Sequence, residues 1–384
     1  MSEEPASTRS PVDVLLWATK TGGGHRRVAE ALRAALLAES RGALRVAIED
    51  PLAAGARPHA RALLLAYGPL VRTSPLLWGL LFRTFARPWA RKPLESFLLS
   101  GLAPAMTRVT QARQPRVVVN CHPLLGPAAL RASSRLSAPA PLVTMITDLA
   151  VVHPGWLSPP TANFLSPSAV ATSWCVAQGI PAERVVEVGL PIDPGIGEQV
   201  GPEAKARLRS ELGLDPRRLV VVMGGGAEGA GRLRPLVAAV LGSGLPLQLV
   251  VLCGRNQRLL HWLHARPRRL PLVALPYTPD PTPWLLAADV YVGKAGPSAL
   301  AEAAAAGLAI LVSAALPGQE RSNLVLLQEA SAGLRVAGRV DLLEALGRLS
   351  IPGDPLLHSL RQGALAWARP AAARGAAREI MSLL

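Results

Sequence analysis

Cysteine is scarce in this sequence: Cys121, Cys175 and Cys253 stand far apart and lack metal-ligand spacing. A reducing, cytosolic setting is therefore the default. Paired carboxylates, H-E-x-x-H and a metal-clamping Asp-x-Asp are missing, so no metal or other cofactor is expected, and no elbow marks a serine nucleophile. No signal peptide is expected, since MSEEPASTRSP is polar and acidic. Long apolar runs are interrupted too. Residues 63–82 approach the length of a membrane span, but Pro69, Arg72 and Pro75 break them. A centred arginine is costly in lipid, so an interfacial or buried segment is expected and no span. Lysine is rare, 4 against 37 arginines, a bias that base composition can produce and no functional signal by itself.

Acidic residues are missing where they would matter most. Residues 57–135 hold twelve Lys/Arg and one acid, Glu95, a net +11 out of the chain's +15. A patch confined to one segment, interleaved with Trp78, Phe82, Phe85, Trp89 and leucines, favours contact with an anionic membrane surface over uniform nucleic-acid binding. A solvated basic face is the plainer reading. Phe82, Phe85 and Trp89 stand at i, i+3 and i+7, which predicts one aromatic-apolar helix face.

What is present is α/β grammar, repeated. With 384 residues, half of them apolar, the chain has room for two domains. Residues 1–10 read as a disordered leader. Residues 13–18 (DVLLWA) form a buried-type strand, followed by Thr21-Gly22-Gly23-Gly24-His25, a helix over 26–39 and a strand over 44–48. Residues 51–110 are helical, broken by prolines and glycines. Strands follow over 116–120, before Cys121-His122-Pro123, over 142–147, before Asp148, and over 185–188. The run 189–194 (GLPIDP) is the expected boundary, giving domains 1–194 and 195–384. Beyond it come a helix (203–212), a strand (219–223), the loop 224–231, a helix (232–241), and strands over 247–253 and 272–275. The tail from 355 is helical.

Residues 289–323 read as a strand (290–292), a Lys-Ala-Gly-Pro turn, an Ala-rich helix stopped at Gly307, a strand (310–313) and a polar loop. This unit puts Lys294, Ser298, Glu302, Gln319 and Glu320 near the carboxyl ends of two strands, where open α/β sheets bind ligands. In the loop 224–231, Gly224, Gly226 and Gly229 satisfy G-x-G-x-x-G, with Gly225 and Gly231 beside them. Such a loop lets backbone approach a pyrophosphate at a helix N-terminus. A dinucleotide site would have an acid after the next strand; Cys253-Gly254-Arg255-Asn256 stands there instead, which demotes NAD. His25, at the start of a helix whose dipole opposes protonation, reads either as a neutral general base or as a helix cap. His122 and His153 read as loop residues, structural or substrate-lining. Asp148 could orient a base, bind a hydroxyl or cap a turn.

Several segments, in order over roughly residues 13–335, resemble monogalactosyldiacylglycerol synthases: TGGGHRRVAEAL (21–32), YGP…W (67–78), CHPLL (121–125), ITDLAVVHPGW (146–156), GLPIDP (189–194), MGGGAEGAG (223–231), VLCGRN (251–256) and GKAGPSALAEA…LPGQERSN (293–323). They are similar also to bacterial diacylglycerol glucosyltransferases and, more distantly, to the glycosyltransferase that completes lipid II. The resemblance, to a family-28-like glycosyltransferase group, implies a GT-B fold: two facing Rossmann-like domains with parallel sheets and an interdomain cleft. It implies inverting transfer of a hexose, galactose favoured over glucose, from a UDP-sugar to 1,2-diacylglycerol at the inner, cytoplasmic face of a membrane. The first domain would meet the lipid and the second the donor. By position, His25 with Asp148 is implied for catalysis, the 224–231 loop for the diphosphate and Glu302 for ribose. Tyr277 and Thr278 would lie near uracil and Gln319 and Glu320 near the hexose. Arg255, Asn256, Lys294, Gly296, Pro297 and Ser298 would complete the donor side. Arg321-Ser322 after Gln319-Glu320, and Ser298 for the family's glycine, depart from the family pattern. A sugar-nucleotide epimerase of the same fold and a catalytically silent membrane-binding protein are the competing readings.

Overall fold

A computed structural model describes residues 10–20, 23–160, 162–196, 201–231, 233–266 and 270–384. Residues 1–9 of the expected leader, Thr21 and Gly22 of the first glycine turn, and Arg232, expected to open a helix, lie outside the described residues. The chain forms two units, Met1–Pro194 with Ala371–Leu384, and Gly195–Pro370.

The first unit is built on β1 (Val14–Trp17), β2 (Val46–Glu49), β3 (Val117–Asn120), β4 (Leu142–Met145), β5 (Asn163–Ser166) and β6 (Val185–Glu187). All pair in parallel, in the order β2-β1-β3-β4-β5-β6. VLLW, VVVN and LVTM are apolar nearly throughout because helices cover both faces of such a sheet. Leu15, Trp17 and Val118 share a core with Leu102, Met106 and Val109 of the helix Pro88–Arg113. The strand order reverses between β1 and β3. Ligands bind at such a switch point, outside the strands' carboxyl ends.

Between β2 and β3 run the helices Pro58–Thr73, Pro75–Phe85 and Pro88–Arg113. Each opens on proline, which lacks only an N–H that the first turn leaves unbonded anyway, and which holds the residue before it out of the α conformation. Pro75 and Pro88 therefore end the helices before them and set the breaks. The stretch 63–82 is accordingly two helices, and among the described residues no helix is long and apolar enough to cross a membrane. Phe82 and Phe85 end one helix while Trp89 starts the next. The single face expected from their spacing is not formed.

The expected domain 195–384 needs correction at its end. The last helix, Ala372–Met381, buries Ala372, Ala373, Ala376, Ala377 and Ile380 and packs on the helix Gly24–Glu39 of the first unit. Arg374 and Arg378 both pair with Glu39, at 3.2 and 2.8 Å.

The second unit carries β7 (Leu219–Gly224), β8 (Leu247–Leu252), β9 (Leu272–Leu275), β10 (Val290–Lys294), β11 (Ala309–Ala314) and β12 (Gly333–Arg335). Its parallel order, β12-β11-β10-β7-β8-β9, is that of a dinucleotide-type Rossmann sheet, with the switch point between β10 and β7. Lys294 ends β10 at a register shift instead of lying in the following turn. Arg321 begins the helix Arg321–Glu329, so the expected polar loop is shorter. β12, three residues long, had no counterpart in the sequence reading.

Candidate active site

At the first switch point, Gly23, with φ 76°, turns the chain from β1 into the helix Gly24–Glu39 and sets His25 in its first turn. His25 Nδ1 lies 3.0 Å from Thr147 Oγ1. Its ring stands edge-on to His122, centroids 4.6 Å apart, and to Trp156 at 5.7 Å. Desolvation lowers the imidazole's pKa to about 4, and the helix N-terminus works in the same direction. A neutral ring at pH 7 follows.

Two further histidines share this region. Asn120 Oδ1, at the end of β3, accepts the His122 amide at 3.1 Å, while His122 Nδ1 accepts the Leu124 N–H at 3.2 Å. Burial, and then the neighbouring His25, hold His122 well below the usual histidine range. His153 Nδ1 accepts the Gly155 N–H at 3.1 Å. Burial lowers its pKa to about 4, against a hydrogen bond with the Phe82 backbone and with a contribution from Arg91. Its ring meets Phe82 at 4.8 Å, which ties the basic aromatic helix Pro75–Phe85 to the histidine pocket. Asp148 Oδ2 accepts the His153 amide at 3.1 Å and Trp156 Nε1–H at 2.9 Å. These bonds cap the turn and fix the indole on which His25 packs.

In the second unit the loop after β7 is tight enough to dictate glycine. A Cβ on Gly225 would stand 2.0 Å from Ala230 O. Gly229 has φ 60°, and a Cβ there would stand 2.2 Å from Cys253 O. The loop closes on itself through Gly229 N–H to Gly226 O at 2.9 Å and Ala230 N–H to Gly225 O at 3.1 Å. Asn256 braces it, its Nδ2 donating to Gly229 O at 3.2 Å while Oδ1 caps the helix Gln257–His264. Arg255 pairs with Glu228 at 2.7 Å and covers the Tyr277 ring at 4.6 Å. Tyr277 is 42% exposed, and Thr278 donates to Asp280 O at 3.2 Å.

Lys294 runs from β10 toward this loop: a Cβ on Gly226 would lie 3.3 Å from its Cε, and one on Gly231 3.9 Å from its Cβ. Its ammonium sits beside Gly296 and pairs with Glu320 Oε1. Glu320 is 1% exposed, and its Oε2 accepts the Leu316 N–H at 3.0 Å. The carboxylate expected near a hexose is thus engaged by Lys294 and by backbone. Gln319 stands just before it. Gly296 caps the helix Pro297–Ala305, which carries Pro297 and Ser298 in its first turn and Glu302 buried further along. Burial, then the charges of Glu302 and Glu320, raise the Tyr291 phenol well above its usual range.

The structure therefore gathers Gly224, Gly225, Gly226, Gly229, Gly231, Arg255, Asn256, Lys294, Gly296 and Glu320 around one sheet edge. His25 and Asp148 belong to the other unit, joined there by Thr147 and Trp156, which sequence reasoning had not singled out. The sequence pattern runs the strand on to Thr147. β4 stops at Met145, which frees the following residues to turn toward the histidine.

The family profile described as Monogalactosyldiacylglycerol (MGDG) synthase matches residues 25–192, beginning at His25. A probable monogalactosyldiacylglycerol synthase 2, chloroplastic, of Oryza sativa subsp. indica is 30% identical over 337 residues, covering 85% of this chain and 71% of that one. The chain belongs to the monogalactosyldiacylglycerol synthase family. A second relative, the probable monogalactosyldiacylglycerol synthase 3 of Oryza sativa subsp. japonica, is 29% identical over 384 residues, 97% of this chain and 74% of its own. Among solved structures, Anabaena HepE in complex with UDP-glucose matches with TM-score 0.58 at 14% identity, covering 97% of this chain and 100% of that one. UDP-GlcNAc 2-epimerase from Neisseria meningitidis, bound to UDP-GlcNAc, matches with TM-score 0.60 at 10% identity, covering 96% and 100%. At such identities the likeness shows the fold, two Rossmann-like domains with parallel sheets of the GT-B type. This member of the monogalactosyldiacylglycerol synthase family is an enzyme, a glycosyltransferase.

Proposed function

We propose that this glycosyltransferase moves a hexose, galactose in the first instance, from a UDP-sugar to the free hydroxyl of 1,2-diacylglycerol with inversion at the anomeric carbon. The observation that carries the reading is His25: a desolvated, neutral imidazole at a strand-order switch point, with one ring nitrogen already bonded to Thr147. A base of that kind takes a proton from an alcohol at neutral pH. The names of the relatives give a product, monogalactosyldiacylglycerol, from which a galactosyl donor and a diacylglycerol acceptor are inferred.

The alcohol oxygen attacks the anomeric carbon as the bond from that carbon to the UDP oxygen breaks, its electron pair leaving with the diphosphate. The alcohol's proton passes to His25. Charge growing on the diphosphate meets Lys294, the glycine loop and the start of the helix Pro297–Ala305. Glu302 is assigned to the ribose, Gln319 to the hexose, and Tyr277 with Thr278 to the base. The first unit takes the acceptor and the second the donor.

The acceptor lies in a bilayer, and residues 57–135 suit its anionic, cytoplasmic surface. Leu76, Leu80 and Trp89 are 79%, 61% and 74% exposed, beside exposed Arg83 and Arg87. Apolar side chains insert while arginines hold headgroups.

The test is to incubate the pure protein with diacylglycerol vesicles and UDP-galactose or UDP-glucose in separate reactions and analyse the lipid. A monogalactosyl product from the wild type, lost in His25→Ala with UDP binding within about 2-fold, supports the reading. A product from UDP-glucose alone changes the sugar. Isomerised UDP-sugar with no glycolipid, or undiminished turnover by His25→Ala, overturns it.

A further inference from the structure

We propose that Thr147 is the positioning residue that makes His25, out of the three imidazoles His25, His122 and His153, the proton acceptor of the transfer reaction. The proposal rests on the reaction assigned above and concerns how the ring's two nitrogens are distinguished.

A backbone N–H can only donate. His122 Nδ1 receives the Leu124 N–H at 3.2 Å and His153 Nδ1 the Gly155 N–H at 3.1 Å, so neither nitrogen carries a proton. Burial keeps both rings neutral. A neutral ring has one N–H, and in these two it must be Nε2–H. Both therefore present a donor at their second nitrogen and have no lone pair there to receive an alcohol's proton.

His25 differs in the partner it meets. Thr147 Oγ1, 3.0 Å from Nδ1, is a hydroxyl oxygen, which accepts as readily as it donates. With Nδ1–H donated to Thr147, Nε2 keeps its lone pair, and that nitrogen is the one left for the acceptor alcohol. Trp156 and His122 pack edge-on against the ring and hold its plane, and a flip within that plane would take Nδ1 away from Thr147. Threonine suits the post because its β-branched side chain is stiff at χ1 and keeps the oxygen aimed at the ring. The partner is a neutral hydroxyl, consistent with a base that stays unprotonated until the reaction itself delivers a proton.

Protein grown with 15N-labelled histidine gives a direct reading, since the imidazole nitrogen shifts report which nitrogen bears hydrogen. At pH 7 the expected result is Nδ1–H at His25 and Nε2–H at His122 and His153. In Thr147→Val, His25 should go over to Nε2–H. Its kcat should fall about 10- to 100-fold, part of the ~10²–10⁴ that a positioned base supplies, with KM for the UDP-sugar moving less than about 2-fold. Thr147→Ser should recover most of the kcat. Nε2–H at His25 in the wild type overturns the proposal without any variant, and so does a Thr147→Val protein with unchanged tautomer and kcat. A separate arm, His25→Ala, guards the underlying reading: if that variant turns over normally, the base assignment fails, while the labelled spectra still decide what Thr147 does to the ring.

Discussion

The Lys294–Glu320 pair shows how one residue can be assigned to two different tasks. The lysine side chain is 18% exposed and the glutamate 2%. An exposed carboxylate in the LPGQE run could read a sugar hydroxyl, but one buried to this degree serves its counter-ion. Removing one partner of a buried pair leaves an uncompensated charge and costs about 3–5 kcal/mol, whereas replacing both is far milder. Glu320→Gln should therefore destabilise the second unit by about 3 kcal/mol, and Lys294→Met combined with Glu320→Gln should regain most of that, as urea denaturation of the three variants would reveal. Lys294→Met alone should weaken UDP binding, because the cation beside the glycine loop is gone. If Glu320 instead reads the hexose, Glu320→Gln will change the ratio of UDP-galactose to UDP-glucose turnover and leave stability unaltered.

Among the elements, the three proline-initiated helices between β2 and β3 carry the exposed apolar and basic residues that the membrane proposal uses. Each basic residue near an anionic bilayer contributes about 1 kcal/mol. Arg83→Glu together with Arg87→Glu should thus cut partitioning onto anionic vesicles by roughly 30-fold or more, read by co-sedimentation, and leave neutral vesicles unaffected. Unchanged partitioning would return this segment to a solvated basic face. These helices also mark how far a sequence can be read. The strands were legible because burial on both faces leaves a continuous apolar run, and the glycine loops because close backbone approach admits no other residue. Pro88 is visible too, but the spacing of Phe82, Phe85 and Trp89 runs across it and gives a false face. β12 is too short to leave a pattern. The apolar stripe of Ala372–Met381 declares that the helix is buried, yet nothing in it specifies the helix Gly24–Glu39 as the partner. Thr147 escaped for a related reason: its partner His25 is 122 positions away in the chain. Local grammar fixes elements; which side chains they bring together depends on the assembled sheet.

For the whole molecule, the three histidines with lowered pKa all lie in the first unit, and they make its stability depend on pH. Each takes up a proton near pH 6.5 when unfolded; when folded, His25 and His153 do so only at about pH 4, and burial with the neighbouring His25 holds His122 well below its ordinary value. Between those values the unfolded state binds more protons, so stability is complete above pH 6.5 and is lost as pH falls. The slope is about 1.4 kcal/mol per pH unit for each group. At pH 5 His25 and His153 should therefore each have removed roughly 2 kcal/mol from the first unit, with His122 acting in the same direction. Asp50 and Glu95, raised by burial, bind protons more readily in the folded state just above the ordinary carboxylate range and offset part of the loss there, whereas Asp289 of the second unit, whose pKa is lowered despite its burial by Lys205 and Arg209, acts below that range. Hydrogen exchange followed by peptide at pH 7 and pH 5, corrected for intrinsic rates, should show protection falling in β1, β3 and β4 while β7 and β10 hold. His122→Gln should flatten part of that dependence. Equal losses in both sheets would mean that the histidines do not control it. The same shift bears on turnover. A base with pKa about 4 is already deprotonated at pH 6, so kcat should carry no His25 titration between pH 6 and 8, and activity lost near pH 5 should track unfolding of the first unit instead of a protonated base.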